Sequence, residues 1–187
     1  RAIAEEFPAA RAAYDEASDA VGFDVAKLCF EGSMEELTRT ELQQPALVTT
    51  SIACLRAVKT LGIEPDYVIG HSVGEYSALA AADAIGTGDA VALVRERGEA
   101  MAEAARETPG AMAAVLGLDD ATVEELCRGI DGVWPANYNC PGQIVISGEH
   151  DAVEVLCAEA EGLGARRAIR LKVSGAFHSP LVARAAD

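Results

Sequence analysis

Basic charge is scarce in this chain. Only 15 lysines and arginines stand against 30 aspartates and glutamates in 187 residues, a formal net charge of −15. A phosphate backbone needs a basic footprint on its partner, so nucleic acid is excluded. Long apolar runs are missing as well. Half of the residues are hydrophobic, yet no uninterrupted stretch approaches the about 20 residues of a membrane-spanning helix, and no secretory signal is visible. A membrane is excluded on that pattern, and a cytoplasmic protein is expected. The five cysteines (Cys29, Cys54, Cys127, Cys140 and Cys157) include no Cys-x-x-Cys pair. Most fall at apolar positions of predicted helices, so the reading is buried free thiols in a reducing compartment and no metal site. The length suits one main core with a small second one, and a monomer is expected.

What is present is concentrated between Tyr67 and Ala82. An apolar, β-prone run, Tyr67-Val68-Ile69, enters the turn Gly70-His71-Ser72-Val73-Gly74, and a stretch rich in alanine and leucine leaves it. Strand, Gly-x-Ser-x-Gly turn and helix in that order are the context of a nucleophile elbow. Ser72 stands at its apex. Gly70 and Gly74 are expected to remove Cβ atoms that would clash as strand and helix converge. The helix that follows aims backbone N–H groups at the place where an oxyanion would form.

A serine nucleophile needs a base, and only His71, His150 and His178 are available. His71 adjoins the nucleophile and is expected to point elsewhere, as a brace packed under the elbow. His150 lies in a polar helix start. His178 follows an apolar strand in Ser174-Gly175-Ala176-Phe177-His178-Ser179-Pro180, where small residues admit a substrate and Pro180 stiffens the loop. It is the expected general base.

The rest of the pattern predicts an α/β protein. Pro8 and Pro45 fit first turns of helices, and 44–61 carries a helical apolar pattern that ends at Gly62. After the elbow a helix is expected over 87–105, and Thr108-Pro109-Gly110 breaks the chain. Beyond it the order is strand 111–118, helix 121–130, strands 133–137 and 143–147, helix 150–163 and strand 167–173. The two helices carry Val123, Leu126, Cys127, Ile130 and Val153, Leu156, Cys157, Ala160 at i, i+3, i+4, i+7. They read as copies in a βαββαβ, ferredoxin-like unit. The expected fold is therefore a hydrolase-like parallel-sheet core, 1–109 with 175–187, interrupted by a ferredoxin-like small domain, 110–174. The active site is then expected in the cleft between domains.

Five segments in order carry a family resemblance: Gln44-Pro45-Ala46-Leu47, Gly70 to Glu75, Arg95-Glu96-Arg97-Gly98, Asn137 to Gln143, and Gly175 to Ser179. Together they resemble the malonyl-CoA:acyl-carrier-protein transacylase family over nearly the whole chain. The resemblance implies transfer of a malonyl group from malonyl-CoA to the phosphopantetheine thiol of acyl carrier protein, in fatty acid biosynthesis and without a cofactor. It implies Ser72 and His178 as catalytic residues, the Val73 backbone N–H as an oxyanion donor, Arg97 as partner of the malonyl carboxylate, Gln44 as an acyl-positioning group, and Phe177 as the side chain that crowds a branched acyl group. It also implies a Gly-Gln-Gly-x-Gln loop before Arg1 and a further segment after Asp187, so the chain is expected to be incomplete at both ends, without its second oxyanion donor and the group that orients His178.

Coenzyme A and acyl carrier protein are themselves acidic, so local basic patches must receive them. The densest is Arg166, Arg167, Arg170 and Lys172. Alternation along the last strand predicts Arg166, Arg170 and Lys172 on one face, a candidate carrier-docking surface. Other readings stay open: an acyltransferase domain of a polyketide synthase or a multidomain fatty acid synthase, a serine hydrolase such as a thioesterase or esterase, and a catalytically silent carrier-binding module.

Overall fold

Helix formers dominate the first hundred residues, and helices follow in the computed structural model, which describes residues 1–186. Asp187, the last residue of the expected core segment, lies outside them. In chain order come α1 Ala2–Glu6, α2 Pro8–Val21, α3 Val25–Glu31, α4 Met34–Thr38, α5 Thr40–Thr60, α6 Gly74–Ala81 and α7 Thr87–Glu107. Pro8 opens α2, where a missing N–H costs nothing. Asp24 caps α3, accepting from the Lys27 N–H at 2.7 Å. Ser33 and Glu36 close a capping box on α4. The chain divides into two units, Arg1–Glu99 and Ala100–Asp187, with the boundary inside α7.

The first unit is built on α2 and α5. Ala10, Ala13 and Ala17 recur at helical spacing and are fully buried in one cluster with Val48, Ile52 and Ala53. Methyl side chains on that stripe leave room for larger side chains from α5. The Tyr14 and Phe30 rings pack edge to face, with centroids 4.9 Å apart, and the Tyr14 hydroxyl lies 3.2 Å from that of Thr50.

Two expectations in this unit are corrected. Pro45 does not open its helix: α5 begins at Thr40, so the proline lies inside. The turn Thr40–Gln43 forms before it because the Leu42 and Gln43 N–H groups both find the Arg39 carbonyl, at 3.0 and 2.8 Å. The apolar run before the elbow, 67–70, belongs to no strand or helix. A strand exists only when its backbone groups are paired, and no described residue pairs with these. Tyr67 and Ile69 are accordingly 92% and 96% exposed.

The second unit contains β1 Ala111–Leu116, α8 Asp120–Gly129, β2 Val133–Cys140, β3 Gln143–Gly148, α9 His150–Gly162 and β4 Arg167–Arg170, followed by a short 3₁₀ segment, Pro180–Ala186. The sheet order is β2-β3-β1-β4. Each neighbouring pair is antiparallel, with Ala113 opposite both Ile146 and Arg170. One face carries α8 and α9: Val115, Val123, Ile144, Ile146, Val153 and Leu156 are buried together there. Each such side chain contributes about 1.5–3 kcal/mol when fully buried. On the other face Phe177 and Val182 bury with Met101, Ala105, Met112 and Val145. The segment after 175 is thus packed into this unit, which is why the observed units divide the chain elsewhere than the expected domains do. The register of β4 with β1 covers Arg167–Arg170, and the Arg166 and Leu171 N–H groups donate to the Leu116 and Met112 carbonyls of β1 at 2.7 and 2.9 Å.

Candidate active site

Ser72 has φ +52°, a left-handed backbone conformation that a side chain adopts only under constraint. Gly70 supplies part of that constraint. A Cβ there would collide with the backbone of Gly74 and Glu75, so the chain folds back on itself only because residue 70 has none. Gly74 differs from expectation: a Cβ on it would meet no described atom within 4 Å, because it starts α6 facing open space. His71 also differs. It is exposed rather than packed beneath the turn.

The first N–H groups of α6 are not all available. Those of Gly74 and Glu75 donate to the His71 and Ser72 carbonyls at 2.9 and 3.1 Å. No described group accepts from the Val73 N–H. Val73 is the residue directly after Ser72.

Arg97, on α7, reaches this turn. Its Nη2 donates to Ser72 Oγ at 3.2 Å and its Nη1 donates to Gln44 Oε1 at 2.6 Å. Gln44 is 3% exposed and packs against the guanidinium. Among the described residues no carboxylate pairs with Arg97. Arg95 behaves otherwise: it is paired with Glu99 at 2.9 Å, donates to the Val21 carbonyl and lies over the Phe23 ring. One arginine of the Arg95-Glu96-Arg97 segment is held by its neighbours, and the other reaches Ser72.

In the second unit His178 is exposed and also has a positive φ, +58°. Its loop is tied by Ser179, whose hydroxyl donates to the Ala176 carbonyl at 2.6 Å and accepts from the Leu181 N–H at 3.3 Å. A Cβ on Gly175 would collide with Ala105, so the loop lies directly on α7. Phe177 is buried in the core of this unit. Of the basic cluster, Arg170 is engaged by Glu154 at 2.7 Å and by the His150 ring. Arg166, Arg167 and Lys172 are exposed. Sequence reasoning missed Thr40 and Ser179, which hold Gln44 and the His178 loop. A hydroxyl four residues before Gln44 becomes a signal only once the helix is known to begin at Thr40.

Among the described residues no group of three or more His, Cys, Asp or Glu side chains could hold a metal ion. No helix among them is long and apolar enough to cross a membrane.

The site thus joins a serine at positive φ, just before a helix, to an arginine fork at its hydroxyl on an α/β scaffold. The family model for the acyl transferase domain matches residues 3–187, and the chain belongs to that family. It is similar to the malonyl CoA-acyl carrier protein transacylase of Bacillus subtilis (strain 168), 50% identical over 187 aligned residues, which cover 98% of this chain and 59% of that protein. A relative of the same name from Staphylococcus aureus (strain MRSA252) is 46% identical, covering 89% and 54%. The chain thus spans little more than half the length of these relatives. Among solved structures, the acyl-carrier-protein S-malonyltransferase of Burkholderia pseudomallei superposes with a TM-score of 0.92 at 44% identity, covering 98% of this chain and 61% of that one. A malonyl-transacylase in complex with a type II PKS acyl-carrier protein superposes at 0.93 with 41% identity, covering 98% and 61%.

Proposed function

We propose that the protein is a cytoplasmic acyltransferase that moves a malonyl group from malonyl-CoA to the phosphopantetheine thiol of acyl carrier protein, in fatty acid biosynthesis. The observation that carries this reading is the 3.2 Å contact between Arg97 Nη2 and Ser72 Oγ. A carboxylate bound by Arg97 lies beside the nucleophile, and malonate separates its carboxylate from its thioester carbonyl by a single methylene. A short diacid therefore fits both groups at once. An arginine fork suits the task, since it stays charged and makes two parallel hydrogen bonds.

In this mechanism His178 takes the Ser72 proton as Oγ attacks the thioester carbonyl, and the Val73 N–H receives the oxyanion. The carbon–sulfur bond breaks, and coenzyme A leaves as the thiol with the proton held by His178. The carrier thiol then gives its proton to His178 and attacks the malonyl-Ser72 ester, restoring the serine hydroxyl. The activated thioester supplies the acyl group, so the reading needs no cofactor. Phe177, fixed by its packing, crowds a branched acyl carbon, a discrimination of about 1–3 kcal/mol per methylene-sized difference. The exposed cluster of Arg166, Arg170 and Lys172 receives the acidic carrier.

For the fold, the reading assigns 1–109 and 175–187 to a hydrolase-like core and 110–174 to a ferredoxin-like small domain. The order β4-β1-β3-β2 with two helices on one face supports the latter. The run 67–70 borders an open groove of about 510 Å³ with Ser51, Leu55 and Ala78.

The direct test is intact-mass spectrometry after incubation with malonyl-CoA. One malonyl mass is expected on the peptide containing Ser72, and none in Ser72→Ala. Normal acyl-enzyme in that variant refutes the mechanism. A second reading, the same transfer to a polyketide carrier, is favoured by the likeness to the transacylase–carrier complex. Comparing fatty-acid and polyketide carrier proteins as acceptors separates the two, while thioester turnover without any carrier would indicate a hydrolase.

A further inference from the structure

The Arg97 guanidinium leans on a side-chain amide, and an amide has two ends of nearly equal size and opposite polarity. If the Gln44 amide were reversed, its NH₂ group would face the N–H groups of Arg97, donor against donor. The observed orientation has Oε1 on Arg97 Nη1 and Nε2 donating to Thr40 Oγ1 at 3.4 Å. Thr40 and Gln44 are four residues apart on α5, hence on one face of the helix. They are 4% and 3% exposed, so water is poorly placed to replace either partner.

Backbone contact sets the height of the arginine against this pair. Gly98 follows Arg97, and a Cβ on it would stand 2.7 Å from the Thr40 carbonyl oxygen and 2.8 Å from Glu41 Cα. The helices α5 and α7 thus touch main chain to main chain beside Thr40. Arg97 starts from a fixed place, and its fork ends on a fixed acceptor.

We infer that Thr40 is a positioning residue: by orienting the Gln44 amide it aims the Arg97 fork, and so sets the preference for acyl groups that carry a free carboxylate. The inference rests on the reading of Arg97 as the carboxylate clamp. In this role Thr40 acts through Gln44 and Arg97.

The test compares kcat and KM for malonyl-CoA and acetyl-CoA in the unaltered protein, Thr40→Val, Thr40→Ser and Arg97→Ala, with thermal midpoints recorded for each. Thr40→Val keeps the shape and loses the acceptor. It should lower the malonyl-to-acetyl ratio of kcat/KM about five- to tenfold, mainly through a higher KM for malonyl-CoA, because a hydrogen bond to a charged network is weakened. Thr40→Ser, which keeps the oxygen, should restore the ratio. If Thr40→Val does not fold, Thr40→Ala removes the same acceptor without adding bulk and gives the same readout. An unchanged ratio in the valine and alanine variants, or equal losses for both thioesters, overturns the role of Thr40 while Arg97→Ala still loses malonyl transfer selectively. Equal losses for both thioesters in Arg97→Ala itself overturn the clamp reading, and the role of Thr40 with it.

Discussion

Ser72 and Gly70 show how much of the site depends on single backbone positions. Ser72 keeps its left-handed φ because Gly70 lets the backbone of Glu75 come within contact distance of its Cα. Gly70→Ala should therefore open the turn and displace the hydroxyl, lowering the rate of acylation by malonyl-CoA about 100-fold, the scale of an ångström-sized misplacement. Gly74→Ala should be mild by comparison, since its Cβ points into open space among the described residues. Equal effects in stopped-flow acylation would mean that the Gly70 contact does not shape the turn. The sequence made the serine, its two glycines and the arginine legible as types in a pattern. It could not tell the two glycines apart, because that difference lies in which atoms surround each one.

Among the elements, the helices of the second unit follow their apolar spacing to within about a residue, and local chemistry explains why. Asp119 starts α8 by accepting from the Thr122 N–H at 2.9 Å and from its hydroxyl at 3.0 Å. These bonds favour the ionised form and hold the Asp119 carboxyl below its ordinary range. A carboxyl with a depressed native pKa stabilises the fold fully above its unfolded value, about 4, and that contribution is lost as pH falls through the native value. Asp119→Ala should melt at a lower temperature than the unaltered protein near neutral pH, and the gap should narrow as the pH is taken below the unfolded value of about 4. Asp119→Asn, which still caps, should narrow the gap at neutral pH. A gap independent of pH in thermal melts would rule out the carboxylate as the source. Two elements were misread for one physical reason. The start of α5 is set by Arg39 accepting two N–H groups ahead of the proline, and the run at 67–70 remains without a pairing strand; neither partner can be read from the segment itself.

For the molecule as a whole, the formal charge of −15 opposes the approach of an acidic carrier unless a basic face is presented. Arg166, Arg167 and Lys172 are exposed, whereas Arg170 is partly neutralised by Glu154. Reversing Arg166 and Arg170 to glutamate should raise KM for acyl carrier protein, leave acylation by malonyl-CoA nearly intact, and flatten the dependence of transfer on ionic strength. An unchanged carrier KM and salt response in a folded variant would remove this face from consideration. Because the Arg170 change also breaks its pair with Glu154, Arg166→Glu alone isolates the surface charge from that loss.

Periodicity and local turn chemistry are properties of neighbours along the chain. They suffice for the helix that follows the Gly-x-Ser-x-Gly turn and for the two amphipathic helices with their strands. Pairing and approach are properties of neighbours in space. The order of the strands, the contact of α7 with α5 at Gly98 and the hold of Gln44 on Arg97 all depend on which residues distant in sequence are brought within a few ångströms, and only the tertiary structure decides that.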